Sequence, residues 1–443
     1  MLVAIGAALA AAVVLLFGGG LGGTPPESAL RAAALAAGAR ASADQGSLDR
    51  LITGFSTGDT AGYVRGLERR VARRPSDGDA LTLLGLAYQQ RAWETGDPAY
   101  YGLSARALRR AAAARGPRPL LVQALATLAN TRHRFRDGLV LARRAVRLDP
   151  QNASAYGALG DALLNLGRYR GAFAAYDRMA VLAPGIASFS RVANARELLG
   201  RPEAAVEALR LALETDSMIP EQVAWTEVQL GNVNFNMGRL RHAAVAYRAA
   251  LRRSPGYVHA EAGLGRIDAA RGRYRAAVRR LRHAVEVLPL PAYAIWLGDA
   301  LRAAGDHAAA ARQYALVGAI ERLFEANGVR TELQTALFDL DHHHRISAAL
   351  ARARTAYASA SGVYAEDALT WGLLRVGRCR EAAAHSARAT RLGTRDALLF
   401  FHRGMVERCL GHHAAGAAFL RKALRLNPHF SIVWAPVARK ALR

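Results

Sequence analysis

Residues Ala142–Gly185 read ARRAVRLDPQNASAYGALGDALLNLGRYRGAFAAYDRMAVLAPG. Within them Tyr156, Leu159 and Leu163 fall at helical spacing, with Gly160 beside them. After the turn at Gly167 and Arg168, the residues Ala172, Tyr176 and Met179 form a second apolar stripe, and Pro184 closes the unit. A near-copy returns down most of the chain. Units begin near Gly78, Pro119, Ala153, Ile186, Ala224, Val258, Pro291, Arg330, Val363 and Ala397, at spacings of 41, 34, 33, 38, 34, 33, 39, 33 and 34. A period of this size marks stacked helical hairpins. No single hairpin buries both its stripes, so each needs a neighbour and the units share one core.

The small residue at Gly160 recurs as Gly85, Gly231, Gly265, Gly298 and Gly404, where the two helices of a hairpin must come close. Pro150, Pro184, Pro255, Pro289 and Pro428 recur at the close. A small residue on the first helix, Ala and a large residue on the second, and a closing Pro together resemble the tetratricopeptide repeat family, over roughly Gly78 to Phe430. The resemblance implies an all-α, right-handed superhelical solenoid of about ten hairpins. It also implies a non-catalytic interaction scaffold that takes a protein or peptide ligand in a concave groove lined by the first helices. Three departures carry expectations. The turn-rich run Glu94–Pro98 is expected to lengthen the loop of the first hairpin, and Leu337 and Thr370, standing where Gly is usual, predict wider helix crossings.

The chain has 443 residues and a net charge of +25, and of its 60 basic residues only Lys422 and Lys440 are lysines. Residues 1–26 carry no ionisable side chain, and the 20 residues Leu2–Leu21 match the apolar length of a bilayer core. Residues 1–23 are read as a transmembrane anchor, with a cleaved signal segment as the alternative; a bacterial plasma membrane with the repeats outside is the expected location. Residues 24–60 read as a flexible tether, 61–77 as an N-terminal capping helix, 78–430 as the repeat array and 431–443 as a C-terminal capping segment.

Catalytic motifs are absent, and neither a cofactor nor a metal site is expected. The runs His342–His344 and His412–His413 are placed in solvated turns. Cys379 and Cys409 should be neighbours; a disulfide is open to them in an oxidising compartment, but the pair is read as unlinked, mostly buried thiols. Arginine follows the hairpin turn at Arg134, Arg168, Arg201, Arg239, Arg273, Arg345 and Arg378, a charged edge that would suit an acidic partner, an anionic membrane or an envelope polymer. A third reading is an accessory of a metal-handling or envelope-assembly system. Nucleic acid is not expected as a partner. The groove itself is expected to be polar in its middle, through Arg191, Asn194, Gln229, Asn232 and Arg266. Towards the C-terminus it should be apolar and exposed, through Phe338, Tyr364, Trp371, Leu398, Phe401 and Met405, unless the terminal segment covers it.

Overall fold

The computed structural model describes residues 59–215 and 220–443. Among the described residues there are 22 α-helices and no strand. Helix α1 (Thr60–Arg73), capped by the Asp59 side chain on the Gly62 amide, covers the first hairpin through Val64, Leu67 and Val71. Hairpins 1 to 5 pair α2 (Gly78–Thr95) with α3 (Ala99–Arg115), α4 (Pro119–Thr131) with α5 (Phe135–Leu148), α6 (Ala153–Asn165) with α7 (Tyr169–Leu182), α8 (Ile186–Leu198) with α9 (Pro202–Glu214), and α10 (Pro220–Asn236) with α11 (Leu240–Arg253). Hairpins 6 to 10 pair α12 (Val258–Ala270) with α13 (Tyr274–Val287), α14 (Pro291–Ala303) with α15 (His307–Ala326), α16 (Glu332–Asp341) with α17 (Ile346–Ser359), α18 (Val363–Arg375) with α19 (Cys379–Ala389), and α20 (Ala397–Cys409) with α21 (His413–Leu426). A short helix, α22 (Trp434–Lys440), ends the chain. The candidate membrane span Leu2–Leu21 and residues 24–58 of the expected tether lie outside the described residues, whereas Asp59 and Thr60 open α1; among the described residues no helix is long and apolar enough to cross a membrane.

Packing inside a hairpin follows from the small residue. At Gly160 an added Cβ would lie 2.3 Å from the ring of Tyr176, so the ring passes over bare backbone. Its hydroxyl then donates to Asp161, one residue on, at 2.9 Å. The same device returns with Gly231, Tyr247 and Asn232 at 2.8 Å, and with Gly298, Tyr314 and Asp299 at 2.7 Å. Where the first helix carries a larger residue, the residue sixteen positions on is small: Ala353 in the cluster on which Leu337 packs, and buried Ser386 for buried Thr370. The large and small members of the pair are exchanged, which conserves their combined volume.

The run Glu94–Pro98 does not lengthen a loop. Hairpin 1 has no Gly at the usual stop, so α2 continues for about one more turn until Gly96 adopts a left-handed φ of 68° and caps it. The connection to α3 is then three residues, as in hairpin 3. The long spacings elsewhere have the same origin, in the 17 residues of α10 and the 20 of α15.

Hairpins 2, 3 and 4 each meet the start of the sixth hairpin after them, and hairpin 5 meets the segment that follows hairpin 10. Arg330 N donates to Arg132 O at 3.2 Å, and His133 Nδ1 pairs with Arg330 O. Val363 N donates to the Tyr169 hydroxyl at 2.7 Å, and Thr394 donates to Leu198 O at 2.5 Å. Buried Asn427 donates to Phe235 O at 2.8 Å. Six hairpins therefore make one superhelical turn, and successive turns rest edge to edge. Gly200 shows why the hairpin-turn glycine suits this: a Cβ there would sit 2.1 Å from Gly393 O of the next turn.

Candidate functional site: the channel wall

The inner wall is built from the first helix of each hairpin, at the position after the small residue. In the middle of the array much of it is tied internally. Arg191 holds Asp161 through two hydrogen bonds, both 2.9 Å. Asn232 accepts from the Tyr247 hydroxyl at 2.8 Å. The Arg266 guanidinium lies between two rings, 4.1 Å from the Phe235 centroid and 4.5 Å from that of Trp296. By contrast, Asn194 and Gln229 have no side-chain partner among the described residues, and Asn194 is exposed.

At the apolar end the expectation of an exposed wall needs correction. Trp371 is 2 % exposed, Phe338 8 % and Phe401 0 %. Leu398 and Met405 are partly buried in the same cluster as Trp434. The cover is the C-terminal segment: Trp434 lies 5.1 Å from Trp371 and 5.6 Å from Phe401, ring centre to ring centre. These side chains satisfied the helical spacing of the wall, but nothing in the repeat reveals that the last residues fold back onto it.

Tyr364 is the exception, at 48 % exposed. It faces channel water yet is so ringed by protein that its hydroxyl pKa is raised, by desolvation first and then by Asp396, Glu197 and Asp367. The stacking of turns brings it to the same cavity, of about 290 Å³, as Asn194, a residue 170 positions earlier in the chain. Asn165, Tyr169 and Leu198 of one turn and Gln334 and Val363 of the next complete this part of the lining. Burial raises the Glu197 pKa, and a hydrogen bond from Asn236 at 2.9 Å opposes the rise. The spacing of the repeats placed Asn194 and Tyr364 on the wall; their shared cavity depends on the superhelical pitch.

Three further expectations meet the structure. His342 is buried rather than solvated: its Nε2 pairs with Asp299 at 2.7 Å and its Nδ1 with Phe338 O at 2.9 Å, between the rings of Tyr314 and Phe338. His344, in contrast, is exposed, and His412 pairs with Glu407 at 2.8 Å. No group of three or more His, Cys, Asp or Glu side chains suited to a metal ion occurs among the described residues. Cys379 and Cys409 are joined in a disulfide with Cα atoms 5.9 Å apart, correcting the reading of unlinked, mostly buried thiols; Cys409 is exposed. The arginine edge is largely neutralised in place. Arg134 pairs with Asp137, Arg239 with Glu203, Arg273 with Asp268, Arg345 with Asp339 and Arg378 with Glu381.

The family profile described as tetratricopeptide repeat matches residues 124–185 and 260–322. No curated protein matches the chain. Similar solved structures include PilW, described as a widely conserved type IV pilus biogenesis factor, at 18 % identity and a TM-score of 0.38, covering 45 % of this chain and 92 % of that one. YrrB, described as having an unusual peptide-binding site, is 20 % identical with a TM-score of 0.30, covering 45 % and 97 %. A human IFIT1 dimer with PPP-AAAA is 13 % identical with a TM-score of 0.43, covering 85 % and 89 %.

Proposed function

We propose that this array of tetratricopeptide repeats is an interaction scaffold that holds an extended peptide or a helix in its channel, tethered to a membrane by its first residues. The observation that carries the reading is the cavity shared by Asn194 and Tyr364. An extended peptide presents one amide donor and one carbonyl acceptor per residue, and an Asn side chain supplies one of each. The unpartnered Asn194 amide suits such a ligand, and the half-exposed Tyr364 ring beside it offers an apolar anchor. The Cys379–Cys409 disulfide supports a location outside the reducing cytoplasm, in keeping with a repeat domain on the outer side of a bacterial plasma membrane.

A photo-crosslinking side chain placed at Tyr364 tests the site in the full chain in its native membrane. Adducts are expected at 364 and not at Val140, which is 67 % exposed on a second helix. Adducts at 140 alone, or at neither position, would overturn the channel reading.

A further inference from the structure

Beyond Asn427 the chain turns inward. Ile432 packs against the core of hairpins 6 and 7, and α22 lies among the wall residues of hairpins 8 to 10. Its anchor is Trp434, stacked on Phe401 at 27° and edge-on to Trp371 at 84°, with its indole N–H donating to Asp341 at 2.9 Å. Asp341 also accepts from the Trp371 indole at 3.1 Å, so one carboxylate receives both N–H groups. Ser431 caps the helix by accepting from the Val433 and Trp434 amides. One and four places after the anchor, Ala435 and Ala438 are buried, whereas Pro436, Arg439 and Lys440 are exposed. A helix of seven residues is far below the length that is stable alone in water, so the wall holds it in shape.

We propose that hairpins 8 to 10 form a helix-docking site whose resident occupant is the segment 430–443. The geometry also defines the partner: a short helix with an indole anchor, small residues one and four places on and a basic exit, seated only in exchange for this segment. The idea rests on the reading of the channel as a ligand-binding surface, but it concerns a different stretch of wall from the Tyr364 cavity. Crosslinking at 364 and the exchange described next therefore fail independently.

The probe is a fluorescein-labelled synthetic peptide of residues 430–443, titrated by anisotropy against the full chain. A tethered segment competes at a local concentration on the order of millimolar, so the wild type should bind the peptide weakly. The Trp434→Ala chain, having lost the anchor of its own segment, should bind it about tenfold more tightly or better. Equal affinity for the two chains, or no binding to either, would overturn the proposal. Should Trp434→Ala fail to fold, hydrogen exchange on the wild-type chain decides: α22 amides exchanging well ahead of those of α20 support a displaceable segment, and exchange of both together overturns it.

Discussion

Replacing Gly231 by Ala tests the hairpin packing through the sign of its effect. In a helix with free space, Gly→Ala gains roughly 0.5–1 kcal/mol from backbone entropy. Here the new Cβ would lie 2.4 Å and 2.6 Å from two carbons of the Tyr247 ring. The ring cannot retreat, because its opposite side is pressed on Gly263, where a Cβ would be 2.6 Å away. Tyr247 is 0 % exposed, and any tilt costs the hydrogen bond from its hydroxyl to Asn232. Overpacking costs about 1–3 kcal/mol, and a strained buried hydrogen bond costs about 1 kcal/mol more. Set against the helix gain, the net result is a loss of about 1–3 kcal/mol. Gly66 in α1 is the internal control: nothing lies within 4 Å of its added Cβ, so Gly66→Ala should stabilise by roughly 0.5–1 kcal/mol. Urea unfolding followed by helix content reads both, with hairpin-resolved hydrogen exchange as the companion measurement because repeat arrays need not unfold as one unit. A Gly231→Ala chain as stable as the wild type would refute the packing argument.

Trp371→Ala removes a core side chain rather than a wall contact, and should lower stability by about 3–5 kcal/mol in the same urea assay. Reducing the Cys379–Cys409 disulfide, which closes a loop of 30 residues, should cost about 3–4 kcal/mol, seen as an earlier urea midpoint with reductant than without. Burial lowers the His259 pKa to about 4 from an ordinary 6.5. The unfolded chain then takes up the proton first, so stability should fall as pH drops from about 6.5 towards 4, and His259→Gln should flatten that slope. A chain beginning at Thr24 should leave the membrane fraction as a helical protein, whereas the full chain should stay bound in high salt; co-fractionation with vesicles checks it.

The sequence makes the hairpins legible because their determinants are local. A Gly followed seven residues later by a left-handed Gly fixes one small contact and one helix stop, as at Gly160 and Gly167. Accordingly eight of the ten first helices begin at the residue that the spacing marks; α10 starts at Pro220 rather than Ala224, and α16 at Glu332 rather than Arg330. The exchange of large and small residues at Leu337/Ala353 and Thr370/Ser386 was also readable, sixteen positions downstream, once Gly and Tyr are treated as a pair. The pitch was not. It accumulates from small rotations between neighbours, and its consequence joins Tyr169 to Val363 across 194 residues. The same holds for Trp434, which meets Asp341 across 93 residues and packs on two expected wall residues, Trp371 and Phe401, making them core. Asn194 and Tyr364, by contrast, stay exposed among the described residues.

The candidate site exists only if the sixth hairpin on rests against the first. The most direct test places cysteines at Leu166 and Ser361, where the Ser361 hydroxyl now donates to Leu166 O at 3.2 Å, with the native cysteines already joined to each other. A short bismaleimide reagent should link the two within the monomer in high yield, and peptide mapping should recover the 166–361 pair. Separate maleimide adducts at the two positions with no 166–361 link, in a protein that retains its helix content, would mean that the turns stand apart and that Asn194 and Tyr364 do not share a cavity.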